Sequence, residues 1–432
     1  MKLKMAFYQK FKNNVEFVNA GWLIGGRVVQ MLLSLVVGIL TARYLGPGDY
    51  GLVNYGLAYV NFFMALCTLG INSVIIKEFL DNPEEQGKAI GTTIVLRIIS
   101  SLLSSVMIFG IVSIVDRNEP ITIAVVVLCS TSLIFNSFDV VNYWFQSQYK
   151  SKIRAIISLV ACIVMMAYRV VLLILNKSVV WFAFATSVEY IVISVLLLIE
   201  YKKHRGPRLS FSMVAGRRLL KNSYHFILAS MMVAIYAQTD KFMLKQMVNE
   251  ESVGFYSTAT ALCSMWVFVL AAIIDAVSPT IIRLYKSDYV QYEKKNRRLY
   301  AIVFYVSAIV SIGFVVFGKQ IVGFLYGETF LPAVLPLKVI TWYTAFSYLG
   351  VARNAWIVCE GKQKYLIFLY MGAAFINVIL NCMLIPFLGA TGAALASLIT
   401  QVFVSIVIPL LIRDLRQNSF LMIQAICFRG IK

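Results

Sequence analysis

Apolar residues in this chain fall into long runs that recur from one end to the other. A helix needs about 20 mostly apolar residues to cross a bilayer, and each run approaches or exceeds that length. The runs lie at approximately 17–43, 51–76, 89–115, 120–143, 153–175 and 179–200. After a basic, less apolar connection they resume at 222–246, 253–281, 300–317, 333–359, 365–387 and 390–412. This pattern predicts twelve transmembrane helices. Residues 1–16 interleave Lys2, Lys4, Lys10 and Lys12 with Leu3, Phe7, Tyr8 and Phe11, which reads as an amphipathic lead-in at a membrane surface. The patch Phe420 to Phe428 in the tail is too short to span and suits an interfacial position.

Polar residues inside the runs are not scattered. At 100° per residue, Arg27, Gln30, Ser34, Gly38 and Thr41 share one face of the first run. Thr93, Ser100, Ser101 and Ser104 share the face of Arg97 in the third. Asn54, Asn61 and Asn72 align in the second run, Ser132, Asn136, Asp139 and Tyr143 in the fourth, and Asn377 and Asn381 in the eleventh. A lipid-facing arginine at mid-span costs at least ~2.5 kcal/mol, so Arg27 and Arg97 must face protein or water. Two readings stay open for the ionisable residues within spans. Arg27 and Arg97, deep in polar stripes, suit the lining of a path for something anionic. Asp139, Asp275 and the adjacent Asp240 and Lys241 lie toward span ends, where ion pairs or coupling to a driving ion are natural roles. Arg169 and Arg353 fit either reading, and Glu189 has few polar companions.

Composition settles the class. Hydrophobic residues make up 60% of the chain and charged residues 14%, with a mean hydropathy of +0.80, too little charge to clothe a soluble protein of 432 residues. The net charge of +19 would suggest a nucleic-acid partner if it formed a basic domain. Instead Lys and Arg concentrate in alternate short connections: the N-terminus, Lys77 and Lys88, Lys150 to Arg154, 202–221, 283–298, Lys362 and Lys364, and the tail. That is the positive-inside pattern, with both termini cytoplasmic and no nucleic acid. The first run ends without a small-x-small cleavage site, so no cleavable signal peptide is expected.

The seven cysteines lie along apolar runs without CxxC spacing, and the two histidines, His204 and His225, join no ligand cluster. Neither a metal site nor a disulfide framework is indicated. With no nucleophile constellation and no phosphate-cradling loop, an embedded enzyme is not expected.

The two halves echo each other. Gly48-Asp49-Tyr50-Gly51-Leu52-Val53-Asn54-Tyr55 after the first run resembles Glu250-Glu251-Ser252-Val253-Gly254-Phe255-Tyr256 after the seventh. Phe145 to Lys152 resembles Val358 to Tyr365. Repeats of six spans keep one orientation, so their axis lies along the membrane normal. The predicted fold is an all-α polytopic membrane protein, twelve transmembrane helices in two six-helix bundles around a central cavity. Its parts are the lead-in at 1–16, a first bundle at 17–201, a basic cytoplasmic linker at 202–221, a second bundle at 222–414 and a tail at 415–432. The linker suits anionic headgroups and relative motion of the bundles; a plain solvated connection fits equally.

Ala42-Arg43-Tyr44-Leu45-Gly46-Pro47-Gly48-Asp49-Tyr50-Gly51 resembles the motif after the first span of bacterial polysaccharide repeat-unit flippases, the Wzx-type O-antigen and capsule transporters. Tyr143-Trp144-Phe145-Gln146, and Gln238-Thr239-Asp240-Lys241-Phe242-Met243-Leu244 with Val253-Gly254-Phe255-Tyr256, resemble two further motifs of that family. The resemblance runs in order along nearly the whole chain. It extends to the superfamily that includes lipid II flippases and multidrug exporters. Ser223-Tyr224-His225 stands where proline is frequent, and Ser147 where glycine is frequent.

The resemblance implies a cargo of oligosaccharide on undecaprenyl pyrophosphate, turned from the cytoplasmic to the periplasmic leaflet of the inner membrane by alternating access. No cofactor is implied, and H+, Na+ or the membrane potential could drive the cycle. A polysaccharide polymerase and a chain-length regulator are the implied protein partners. Moving two negative charges outward across ~100 mV is favourable by roughly 4–5 kcal/mol if the whole field is traversed. A cation-coupled small-molecule exporter is the alternative, although acidic residues would suit it better where Arg27 and Arg97 stand. A membrane glycosyltransferase or polymerase would need larger outer loops than these.

Overall fold

The computed structural model describes residues 15–428, with the side chains of 15–29, Leu32 and Ser151 outside the description. The lead-in at 1–16 therefore lies almost wholly outside the described residues, as does the Arg27 side chain. Among the described residues the secondary structure is helical, with no strand.

In the first half, α1 (Val15–Cys67) is followed by α2 (Ile75–Asp81), α3 (Gln86–Val115), α4 (Pro120–Asn136), α5 (Val140–Ser147), α6 (Ser151–Ile174), α7 (Val179–Ala183) and α8 (Ala185–Lys203). The second half holds α9 (Met213–Met247), α10 (Glu250–Ser264), α11 (Val267–Ser287), α12 (Tyr289–Tyr326), α13 (Val334–Cys359), α14 (Lys364–Leu388), α15 (Ala390–Val402), α16 (Ile408–Leu411) and α17 (Arg416–Ile426). The predicted spans lie largely on helix, but the second leaves α1 after Cys67 and passes through turns and a 3-10 turn at Ile71–Ser73 before α2, which takes Asn72 off the helix that carries Asn54 and Asn61. Ten helical stretches among the described residues are long and apolar enough to cross a membrane. The first two predicted spans count there as one stretch, and α9, with Arg217, Arg218, Asp240, Lys241 and Lys245, is too polar to be counted.

Many large apolar side chains point outward, among them Leu103, Val106, Phe109 and Ile114 on α3 and Phe324 on α12. A water-exposed monomer does not carry so much apolar surface, whereas lipid welcomes it. The chain is a multi-pass membrane protein.

Backbone irregularities punctuate several spans. Within α1 the helical path breaks at Gly46 (φ 72°, ψ 174°), a conformation that glycine adopts without strain, and Pro47 follows without an N–H to give. The fourth span contains a 3-10 turn at Ser137–Asp139, the eighth is interrupted between Ser264 and Val267, and the twelfth contains a π turn at Phe403–Val407. Irregular backbone at membrane depth persists only where other protein groups satisfy it.

Two expected loops are shorter than the apolar pattern suggests. The basic stretch 283–298 is helical except for Asp288, which caps α12 by accepting from the Gln291 N–H at 2.9 Å. Hydropathy marks only the apolar part of such a helix, and its charged extension folds equally well as helix. The tail likewise forms α17, which packs on α12: Asn418 Nδ2 donates to Tyr300 Oη at 2.6 Å, and the Tyr305 ring stacks on Phe428 at 4.1 Å.

Contacts divide the chain into two compact units. The first contains the described residues up to Tyr44 and Tyr55–Ala234. The second contains Leu45–Asn54 and the described residues from Ile235 onward. In the first, Trp144, Phe145, Ile90, Tyr201 and Leu219 build a core; in the second, Trp356, Tyr300, Leu349, Leu369 and Met422 do so.

The 202–221 connection is not a plain solvated linker. Ser212 N–H donates to Thr92 Oγ1 at 2.9 Å, the Tyr201 hydroxyl donates to the Pro207 carbonyl at 2.5 Å, and the backbone of 208–210 lies so close to Gly87 and Gly91 that no Cβ would fit. Arg218 then pairs with Glu78 and, at 3.0 Å, with Glu85. Hydrogen bonds and ion pairs thus strap the connection to the first unit.

Candidate substrate-handling site

In the first unit Arg97 is 1% exposed on α3. One terminal nitrogen donates to Asn72 Oδ1 at 2.5 Å and to the Thr68 carbonyl at 3.4 Å, while Nε and Nη1 have no partner among the described residues. Its stripe turns toward neighbouring helices. Ser101 donates to the Leu133 carbonyl at 3.0 Å, Ser100 bonds the Leu66 carbonyl at 3.3 Å, and Ser104 is buried. Asp139 accepts from Asn142 and interacts electrostatically with Arg97 without a close ion pair.

A second polar group gathers Gln30, Ser34, Arg169 and Glu189. Gln30 Nε2 donates to Glu189 Oε1 at 3.4 Å, Ser34 meets Cys162 Sγ at 3.5 Å, and Arg169 interacts electrostatically with Glu189. Glu189, which has few polar companions along its run, therefore has two in space. Asn54 bonds its own helix at the Tyr50 carbonyl (2.9 Å), and Asn61 is exposed.

The second unit treats its charges differently. Arg353, 4% exposed on α13, donates from Nη1 to the carbonyls of Val404 and Ser405, each at 3.3 Å. Those carbonyls belong to the π turn, whose i→i+5 pattern leaves backbone acceptors in need of partners. Asp275 is exposed on α11. Asp240 on α9 is buried and accepts from neutral donors on three helices: Tyr256 of α10, Ser397 of α15 and Asn381 of α14 at 2.6 Å. Asn381 also donates to Asn377 Oδ1 at 3.1 Å, so the asparagine pair spaced i, i+4 in the sequence holds this carboxylate.

Asp240 borders a cavity of about 320 Å3 inside the second unit, whose wall includes Lys241, Tyr236, Tyr343, Tyr348, Thr344 and Ser347. The sequence pointed to Asp240 and Lys241 but did not single out these tyrosines, which lie near mid-span, because the period of a helix does not tell which face meets a cavity. Among the described residues no cluster of His, Cys, Asp and Glu could hold a metal ion.

The arrangement is that of a polytopic helical membrane protein with buried cations, a buried carboxylate held by neutral hydrogen-bond donors, and a cavity lined by apolar and polar side chains together. Residues 40–335 match the model of a family described as polysaccharide biosynthesis protein, and the chain belongs to that family. It is 20% identical over 400 residues to the capsular polysaccharide biosynthesis protein CapF of Staphylococcus aureus, covering 90% of this chain and 97% of that one. Its fold is similar to the lipid II flippase MurJ in an inward closed conformation (TM-score 0.71, 14% identity, 94% and 92% of the two chains). It is similar also to an inward-facing multidrug resistance MATE family transporter of the MOP superfamily (TM-score 0.66, 15% identity, 91% and 94%).

Proposed function

We propose that this protein flips lipid-linked oligosaccharides, the undecaprenyl-pyrophosphate-linked repeat units of a capsule, O-antigen or exopolysaccharide, from the cytoplasmic to the outer leaflet. The observation that carries the reading is the family match across 40–335, the stretch that also contains Arg97, Asp240 and Lys241. The pyrophosphate and sugars cannot enter hydrocarbon unaided, whereas buried cations and hydroxyls can replace their water. The lipid tail stays in the bilayer. The cycle is alternating access without covalent chemistry, in the inner membrane with both termini cytoplasmic. Arg27 and Arg97 face the anionic head during the cycle, Arg97 through its unpartnered nitrogens. Asp240, Glu189 and Asp139 are the groups available for coupling to H+ or Na+.

Deleting the gene should make lipid-linked repeat units accumulate in the cytoplasmic leaflet, and the wild-type gene should clear them. Arg27→Ala or Arg97→Ala should abolish surface polysaccharide at unchanged protein level; normal polysaccharide from both variants would sink the role given to these arginines. The similarity to a MATE transporter keeps drug export as the second reading. It gains if the deletion raises intracellular drug and leaves lipid-linked sugars unchanged.

A further inference from the structure

The cavity inside the second unit carries chemistry that simple passage of an anionic head leaves unused. Asp240 does not offer it a free carboxylate, since one oxygen accepts from Tyr256 and Ser397 and the other from Asn381. Lys241 on the cavity wall is half-buried. Among the described residues its ammonium has no hydrogen bond or ion pair, and its electrostatic neighbour is the already satisfied Asp240.

The hydroxyls around it are poised as acceptors. Thr260 donates to the Ser257 carbonyl at 3.0 Å, Ser264 to Ala261 at 2.7 Å and Thr344 to Thr341 at 2.6 Å. Each therefore spends its proton on its own helix and keeps oxygen lone pairs for a ligand. Tyr236, Tyr343 and Tyr348 add flat apolar faces with polar edges.

An ammonium donor, hydroxyl acceptors and aromatic faces together complement a sugar ring that bears one carboxylate. The ring hydroxyls donate to the threonines and serine, a C–H face lies on tyrosine, and the carboxylate meets Lys241. Size limits the ligand to about one ring, because 320 Å3 lies at the bottom of the ~300–1,000 Å3 range of ligand pockets. Charge limits it too. Among the described residues Lys241 is the one basic residue on the wall and Asp240 sets a negative charge beside it, so a ligand with a single carboxylate is tolerated better than a pyrophosphate, which brings several negative charges to the same cation.

We propose that this cavity is a subsite for one carboxylate-bearing hexose of the cargo, and that Lys241 is the residue that selects acidic over neutral sugars. The proposal rests on the flippase reading. Its test uses the full-length protein in detergent, titrated with methyl glucuronide, methyl glucoside and inorganic pyrophosphate. The glucuronide should bind at least tenfold more tightly than the glucoside. Lys241→Met should erase that difference and Lys241→Arg should retain it.

Equal affinity for the two glycosides, a preference that survives Lys241→Met, tighter binding of pyrophosphate that is lost in Lys241→Met, or no binding of either glycoside would overturn the proposal. A parallel complementation keeps the two readings apart, in a strain that lacks its flippase and assembles an acidic repeat unit. Complementation without glucuronide binding overturns the subsite and leaves the flippase. Lys241-dependent glucuronide binding without complementation supports the subsite and removes the flippase.

Discussion

Arg353 and Arg97 are both buried guanidinium groups, yet their surroundings give them different work. Arg353 meets two carbonyls of the π turn, so it stabilises a backbone irregularity within its own unit. Hydrogen bonds to a charged group contribute about 1.5–3 kcal/mol each, and Arg353→Met leaves those carbonyls short of a donor. The variant should lose about 1.5–3 kcal/mol, seen as a lower Tm in detergent; an unchanged Tm would show that the turn holds itself. Arg97 has two nitrogens without a partner among the described residues and Arg353 has one, Nε; under the proposed function the spare capacity of Arg97 serves the transported anion. The sequence separated the two arginines only by the polar stripe around Arg97 and left Arg353 open between lining and pairing. Each is an arginine in a span, and the difference lies in which carbonyls a distant helix brings near.

Among the elements, the two turns that resemble each other in sequence are also neighbours in space. A Cβ at Gly51 would stand 1.8 Å from the Glu250 carbonyl oxygen, and one at Gly254 would stand 2.1 Å from the Pro47 carbonyl oxygen. The two glycines thus allow one close backbone approach from opposite sides, and the Asn249 side chain caps α10 beside it by accepting from the Ser252 N–H at 2.9 Å. Gly254→Ala should cost about 1–3 kcal/mol in thermal unfolding. Gly51→Ala should cost a similar amount, and the double variant less than the sum, because one separation of the turns relieves both clashes.

A second element-level tie is electrostatic. Asp414, just beyond α16, accepts from the Tyr365 hydroxyl at 2.5 Å and lies 3.6 Å from Lys362. The hydrogen bond first, and Lys362 next, hold its carboxyl below the ordinary value of 3.8. A depressed pKa stabilises the fold above the unfolded value and ceases to do so as pH falls through the folded one. The Tm difference between wild type and Asp414→Asn should therefore be present at neutral pH and shrink below about pH 4. A difference that does not change with pH would refute the tie.

For the whole molecule, the distribution of basic residues and the succession of spans agree. Both termini should report as cytoplasmic in reporter fusions at Lys432 and in cysteine-accessibility labelling of the 202–221 connection; periplasmic labelling would reverse the orientation. The helical membrane class, most of the long apolar helices and the family were legible in the sequence. Each depends on local quantities: apolar run length, helical period and short motifs read in order. What the pattern could not give was the partner of each inward-facing group. The period of a helix says that Arg97, Asp240 and Asn381 turn away from lipid, but not what they meet. Only the packed helices brought Asn381 and Ser397, 141 and 157 residues further along the chain, onto Asp240. They also strapped the basic connection to α3 and left Lys241 with an open cavity. Apolar contact is non-directional and leaves the partner unspecified, whereas hydrogen bonds and charge pairs depend on ångström distances between chain-distant atoms, and tertiary structure alone sets those distances.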